Sequence, residues 1–250
     1  GRAGTPAASG RGLCGRRLTE AGPRVYKQTV DTFRLGGSFK GSFDLLNRVF
    51  SWESGAIYSE SHQGQKTQGL VNLDHLAKGI GPAAGCTGDC VPVNVFGGQG
   101  LDGKGTITGN MLNYLTYTAQ SPTKSSQNVY YAYLSNDLFN LPAGVVSAAY
   151  GLEYRRDLFN DEPDTLEQQG ISSNNRAQRT GGSQTAREGY AELSVPLVSG
   201  MRFVETLDLS LAGRVSDYDR FGTNTTYKVG VRYKPFQDLL VRGTYSTAFR

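Results

Sequence analysis

Apolar and polar side chains alternate through four successive segments of residues 187–250, and this alternation restricts the possible folds more than any other feature. It is clearest at 202–217, where one parity holds Phe203, Leu207, Leu209, Leu211 and Val215. Successive side chains of a strand point to opposite faces of its sheet, so each segment predicts a strand with one apolar and one polar face. The other three segments are 189–197, 226–234 and 239–249.

Five earlier segments show the same pattern or a shorter form of it: 29–43, 48–59, 113–119, 127–139 and 144–158. Together with the first four they predict about ten strands, joined as antiparallel neighbours. The periodicity is lost between 60 and 113, which predicts a long loop. A short helix is predicted within it at 73–78, with Asn72 or Asp74 as its N-cap.

The chain is poor in the apolar residues that a soluble core requires. Only 38% of its 250 residues are hydrophobic, whereas soluble domains are usually nearer half apolar. A transmembrane β-barrel needs apolar side chains only on the outward half of each strand, because its lumen is polar. No run approaches the roughly 18 apolar residues of a membrane-spanning helix.

The predicted connections alternate in length. Those at 142–144, 196–200 and 235–238 are short, whereas 159–186 is long and 218–224 is intermediate. Such alternation is expected when antiparallel strands cross a layer with a different compartment on each side. We therefore predict an all-β chain that forms an antiparallel transmembrane β-barrel segment. A secreted β-sandwich or jelly-roll binding module is the alternative, since its strands alternate as well.

Tyrosines near strand ends or on the apolar parity fit an aromatic girdle at a membrane surface, although tyrosine also favours strands in general. They are Tyr150, Tyr154, Tyr218, Tyr227, Tyr233 and Tyr245.

Charge gives no support for nucleic-acid binding, because the net charge is only +4 and the basic residues are scattered among acidic ones. Residues 1–25 are rich in Gly, Ala and Arg and lack apolar periodicity. We expect them to be disordered or foreign to the domain, which then comprises residues 26–250.

Several motifs resemble one family. The segments 141–156 (LPAGVVSAAYGLEYRR), 190–197 (YAELSVPL) and 217–250 look like the barrel of TonB-dependent receptors, the outer-membrane transporters of Gram-negative bacteria. The loop 71–98, ending in GCTGDCVPVNVFGG, and the segment SSNNRAQ at 172–178 are similar to one large branch of that family.

The resemblance implies a barrel of about twenty-two strands closed around an N-terminal plug domain. It also implies import of a scarce nutrient, such as a siderophore, a vitamin or a carbohydrate, with energy from TonB. The sequence shows no recognisable plug domain, so we expect an incomplete barrel that is inactive alone. A passive porin is the alternative within the transport class.

The same resemblance implies a place in the bacterial outer membrane, with the short turns towards the periplasm. The expected partners are outer-membrane lipid, a small-molecule ligand, and the TonB complex through the plug of the parent protein. No enzyme activity and no cofactor are expected.

Cys86 and Cys90 lie four positions apart in a Gly-rich loop that would face the oxidising exterior, where we expect them to form a disulfide. A metal site would require further ligands, and both His62 and His75 are isolated in the sequence. We therefore predict no metal site.

Charged residues on the polar parity are expected to line the lumen of the barrel. They are Glu153, Arg155, Arg214, Arg232 and Arg242. Their role is to contact the plug, to hydrate the wall or to share in ligand binding, which we expect more from the long loops. The glycines at 97–100 lack the following helix and lysine of a phosphate-binding loop.

Overall fold

The structure is a computed structural model, which describes residues 18–96 and 106–249. Most of the segment 1–25, including Cys14, and the glycines at 97–100 lie outside the described residues, so what the sequence indicates for them stays a prediction.

Eight strands form one antiparallel sheet in the described part of the chain. They are β1 (Val25–Leu45), β2 (Arg48–Val71), β3 (Thr116–Leu141), β4 (Gly144–Asp161), β5 (Thr180–Met201), β6 (Val204–Tyr218), β7 (Gly222–Phe236) and β8 (Leu239–Ser246). They pair in chain order, and β1 and β8 are the edges of an unclosed sheet. Sequential pairing is the topology of an up-and-down barrel wall. The all-β prediction is therefore confirmed.

Three short α-helices accompany the sheet in the described part of the chain: α1 (Leu73–Gly79), α2 (Gly109–Leu115) and α3 (Thr165–Gln169). The predicted helix at 73–78 is confirmed as α1, and Asn72 is its N-cap. None of the helices in residues 18–96 and 106–249 is long and apolar enough to cross a membrane.

About ten strands were predicted, whereas the described residues contain eight. One reason is that a single strand, β3, was predicted as two separate strands. The segments 113–119 and 127–139 are not separate strands: 113–115 end α2, and β3 runs without a break from Thr116 to Leu141. The predicted loop at 60–113 is wrong at its start, since β2 continues to Val71. There the strand carries polar residues on both faces, so backbone pairing persists where apolar periodicity does not.

The turn predicted at 196–200 is also wrong, because β5 continues to Met201 and the turn is at 202–203. The register shifts between Pro196 and Val198, which marks a β-bulge. Proline has no N–H for the ladder, so a bulge accommodates it inside a strand without a chain reversal. The long connection predicted at 159–186 is shorter, 162–179, and contains α3.

Short and longer connections alternate as predicted, but the connection predicted as intermediate at 218–224 has only three residues. Four two-residue turns, at 46–47, 142–143, 202–203 and 237–238, join β1 to β2, β3 to β4, β5 to β6 and β7 to β8. The connections at the opposite strand ends are 72–115, 162–179 and 219–221. Leu46 and Asn47 have φ of 52° and 59°, the signature of a type I′ turn, which suits the twist of a hairpin.

Contacts divide the chain into two units. Within the described residues, unit 1 comprises 18–29, 64–96, 106–121 and 163–179, and unit 2 comprises 30–63, 122–162 and 180–249. Within unit 1, a small core includes the buried side chains of Leu70, Val93, Ile107 and Leu115. This unit consists mainly of the two long connections and the ends of the strands that enter them.

Unit 2 contains the sheet with one apolar and one polar face. Leu193 pairs with Leu211, and Leu211 pairs with Val229, in a row that defines the apolar face. Large side chains of this face are exposed, among them Leu152 at 67% and Tyr245 at 62%. A β-sandwich would bury such a face against a second sheet, but the eight described strands all belong to one sheet.

Replacing Asn72 with alanine should loosen α1. Asn72 Oδ1 accepts hydrogen bonds from the backbone N–H groups of Asp74 and His75 at 3.0 and 3.2 Å. Loss of such a cap costs about 1 kcal/mol, roughly a fivefold change in helix opening. Hydrogen–deuterium exchange of residues 73–79 in the full-length protein should accelerate accordingly, while Asn72→Asp retains the protection. Equal exchange in wild type and Asn72→Ala would contradict this role.

Candidate functional site

The polar face of unit 2 is the candidate site, because the register brings all five predicted wall residues to it. Arg232 pairs with both Asp208 and Arg242, and Arg214 pairs with Tyr190. Tyr190 in turn pairs with Gly151, two positions before Glu153 on β4. Paired residues, and residues two apart on a strand, share a face. That this face lines a lumen stays a prediction.

Glu188 on β5 is a nearly buried carboxylate at the centre of a hydrogen-bonded group. Its Oε1 accepts from Ser216 Oγ at 2.8 Å and from Tyr218 Oη at 3.2 Å. Its Oε2 accepts from Arg214 Nη1 at 3.1 Å. Burial of a charge is unfavourable unless it is paired and hydrogen-bonded. The three donors therefore stabilise Glu188, and they also offset its repulsion with Glu153 directly opposite on β4.

Aromatic rings extend this group across four strands. The Arg214 guanidinium lies over the Tyr190 ring, 5.1 Å from its centroid. Tyr190 contacts Tyr133 at a centroid distance of 6.2 Å, and Tyr133 stacks on Tyr131 at 4.7 Å. Tyr131 Oη donates to Glu53 Oε1 at 3.1 Å. We call these residues, with Glu188, the aromatic ridge of the polar face.

Two glycines allow the rings to lie close to the backbone of the sheet. A Cβ at Gly151 would be 2.2 Å from Tyr190 Cζ, and one at Gly55 would be 2.7 Å from Tyr131 Oη. Any other residue would displace the rings, because real Cβ contacts are never so short. The glycines weaken their strands, but the aromatic ring covers the exposed backbone.

The remaining predicted wall residues form ion pairs or face one another. Arg155 contacts Glu153 at 3.7 Å and Asp157 at 3.3 Å. Arg232 contacts one carboxylate oxygen of Asp208 through Nε at 2.9 Å and Nη2 at 2.8 Å. Arg242 is exposed opposite Arg232 and makes no ion pair within the described residues.

A recess lined by small side chains lies beside the aromatic ridge. Ser147 pairs with Ser194, Ser194 with Ser210, and Ser210 with Gly230, so four strands present a flat row. One row nearer the ridge, Ala149 pairs with Glu192, Glu192 with Ala212, and Ala212 with Lys228. The polar face therefore combines a projecting aromatic group with a flat row of small side chains that Glu192 and Lys228 border.

Five of the six predicted girdle tyrosines lie on the apolar face, but Tyr218 does not. Tyr218 pairs with Ala186, which pairs with Arg155, and the Tyr218 hydroxyl donates to Glu188.

Glu188, Tyr133 and Tyr190 were not singled out from the sequence. Glu188 and Tyr190 share the parity of Glu192 on β5, which was the available signal, whereas the contacts among the three residues depend on register across strands.

Unit 1 carries the predicted disulfide, which is present between Cys86 and Cys90 with a Cα–Cα distance of 5.1 Å. Nearby, Val93 N donates to Gly79 O at 2.8 Å. A Cβ at Gly79 would lie 2.6 Å from Val93 Cγ2, so the segment after the disulfide packs directly on the end of α1.

The SSNNRAQ segment has a structural role within unit 1. Ser173 accepts a hydrogen bond from Val71 N through Oγ and donates through its own N to Val71 O, both at 2.9 Å. Asn174 Nδ2 donates to the buried Glu167 at 2.7 Å. Tyr117 Oη donates to Ser172 Oγ at 2.6 Å, and burial raises the pKa of Tyr117 above its ordinary value. The motif therefore fastens the second long connection to β2 and β3.

The histidines are not brought together. His75 Nδ1 lies 2.7 Å from Tyr114 O and its ring stacks on that of Tyr114, while His62 contacts Glu60. Within the described ranges, no three His, Cys, Asp or Glu side chains are grouped so that they could hold a metal ion.

Gly151→Ala should disrupt the aromatic ridge. The new methyl group would overlap the Tyr190 ring, forcing a shift that costs about 1–3 kcal/mol. The denaturation midpoint of the full-length protein, followed by gel mobility without boiling, should fall. Gly213→Ala is the matched control, because a Cβ there meets nothing within 4 Å. If both alanine variants have the same denaturation midpoint as the wild type, the close approach of Tyr190 to Gly151 does not affect the stability of the protein.

Comparison with known proteins agrees with this architecture. A family model described as TonB dependent receptor-like, beta-barrel, matches residues 19–250. A search of the curated proteins finds no match. Because the matched residues make up nearly all of the chain, it belongs to the family of TonB-dependent receptor-like β-barrels.

Proposed function

We propose that residues 26–250 form part of the wall of an outer-membrane receptor that imports a scarce nutrient by energy-coupled transport. The observation that carries the proposal is a sequentially paired sheet with one apolar and one polar face, in a chain of this family. The family consists of outer-membrane receptors and transporters rather than enzymes. A siderophore, a vitamin or a carbohydrate is the class of cargo.

In this proposal the apolar face contacts outer-membrane lipid and the polar face lines the lumen. Exposed leucine, valine and tyrosine side chains support the contact with lipid, because lipid hydrocarbon can cover an apolar face that no protein core covers. The second is supported by the ion pairs of Arg155, Arg214 and Arg232, which would be unfavourable against lipid. The two-residue turns then face the periplasm and the longer connections face the exterior.

In this proposal the long connections make most of the contacts with the ligand. The plug of the full-length receptor couples transport to TonB. Most charges of the aromatic ridge are already paired within the wall, so they offer little unsatisfied hydrogen-bonding capacity to a small ligand. Their proposed role is to keep the wall hydrated and to contact the plug, through which the TonB complex acts. The disulfide stiffens the connection between β2 and β3, which reduces the entropy lost when a ligand binds.

Uptake assays test the proposal. The full-length receptor is expressed in a Gram-negative strain that lacks its own receptors for the labelled cargo, with and without functional TonB. Candidates from the three cargo classes are supplied at limiting concentration. We expect accumulation of one class that requires both TonB and the proton gradient, because energy coupling is the property that distinguishes a receptor from a pore.

Uptake that persists without TonB and saturates only at high concentration would identify a passive porin and contradict the proposal. The variant Arg232→Gln, expressed in the same strain, tests whether an arginine of the wall contributes to ligand binding. Its uptake should stay within about twofold of wild type, since Arg232 is engaged by Asp208 in the wall.

A further inference from the structure

Two exposed arginines lie on the outward side of unit 2, in line with the apolar face. Arg187 on β5 pairs with Tyr154 on β4, and Arg156 pairs with Asn128 and Thr185. Both are on the parity of Leu152 and Tyr154, opposite to that of Glu153 and Arg155. They are therefore neighbours on adjacent strands, one row apart, with side chains about 7–8 Å from each other along the diagonal.

Their position along the strands is at the edge of the apolar belt. The rings of Tyr130 and Tyr154 contact each other with centroids 6.1 Å apart, as expected of an aromatic girdle at the membrane surface. Towards the two-residue turn, β4 presents the exposed side chains of Leu152 and Tyr150 on this side. Arg156 lies one row beyond the tyrosine pair, towards the long connection after Asp161, and Leu158 is the last exposed apolar side chain on this side of β4. The two arginines therefore lie near the boundary between the hydrocarbon core of the membrane and its head-group region.

These arginines differ from those of the polar face in their partners. Arg155, Arg214 and Arg232 each contact a carboxylate within the wall. Arg156 and Arg187 have no ion pair within residues 18–96 and 106–249. Asp217 is in register with Arg187, but its carboxylate accepts from Thr223 Oγ1 at 2.9 Å instead. Lys124, on the same side, is paired with Glu60 at 3.1 Å.

We propose that Arg156 and Arg187 bind a phosphate of a lipid head group in the outer leaflet of the membrane. A guanidinium group can bind a phosphate through two parallel hydrogen bonds. Neither Arg156 nor Arg187 forms an ion pair with a carboxylate of the described residues, so both guanidinium groups can bind a phosphate. The acyl chains of the same lipid would lie against Leu152 and the adjoining apolar face. The inference rests on the proposed function in taking the apolar face as lipid-facing and the longer connections as exterior.

The test uses the full-length receptor, purified in an uncharged detergent, and lipid A, a phosphorylated glycolipid of the outer leaflet, as the probe. Native mass spectrometry measures the bound fraction during titration. We expect the double variant Arg156→Gln/Arg187→Gln to bind at least about tenfold more weakly than wild type. Arg155→Gln is the matched control, since it removes a neighbouring arginine from the opposite face, and its affinity should be unchanged.

Two further arms identify the source of the phosphate. Lipid A stripped of its phosphates should bind to wild type as weakly as intact lipid A binds to the double variant. Inorganic phosphate should not compete at concentrations that leave the protein folded. Equal affinity in wild type, double variant and control would overturn the proposal, and so would competition by inorganic phosphate, which would indicate a small-anion site.

Failure of this proposal is distinguishable from failure of the proposed function. Gel mobility without boiling reports whether each variant is folded, and the uptake assay reports transport independently. Loss of lipid binding in a folded variant that still imports its cargo would support the lipid site and leave the receptor assignment intact.

Discussion

The hydrogen-bond ladder between consecutive strands is the interaction on which the rest of this structure depends. Lipid offers no partner to a backbone N–H or C=O, so a chain that crosses a membrane as strands must pair every strand with its neighbours. Here β1 to β8 pair in chain order. Once the ladder sets the register, it also sets which side chains face which medium, because a slip of one residue would exchange the two faces.

The ladder explains why the polar face can hold charges. Register places Ser216 and Tyr218 beside Glu188, and it places Arg232 beside Asp208. These pairs form within the sheet, so no carboxylate of this group is isolated in a nearly buried position. The glycines at 55 and 151 belong to the same arrangement, since they let Tyr131 and Tyr190 lie over the neighbouring strands.

The sequence predicts the fold best where one strand face must be apolar. Alternation alone identified β5 to β8 and the two-face character of the wall. It failed for 60–71 of β2, because strand segments beyond the apolar belt carry polar residues on both faces while their backbone remains paired. It also misplaced the turn at 196–200, because a proline in a β-bulge resembles a proline in a turn.

The candidate site was accessible from the sequence only in part. Parity indicated that Glu153 and Arg214 share a face, but which residues meet depends on the offset between strands. Glu188 was missed for that reason: its three donors come from β6, and only the register of β5 on β6 brings them together. The disulfide, by contrast, involves two residues only four positions apart and was predicted from the local sequence.

The central claim is that one face of this sheet meets lipid and the other meets water. Nitroxide labels placed one at a time along 206–215 of β6, in the full-length protein reconstituted in a bilayer, test it most directly. Collisions with oxygen, which concentrates in hydrocarbon, should be frequent at Leu207, Leu209 and Leu211, and collisions with a water-soluble nickel complex should be rare there. At the intervening positions, oxygen collisions should fall, giving a period of two. An accessibility profile without that period would contradict the account.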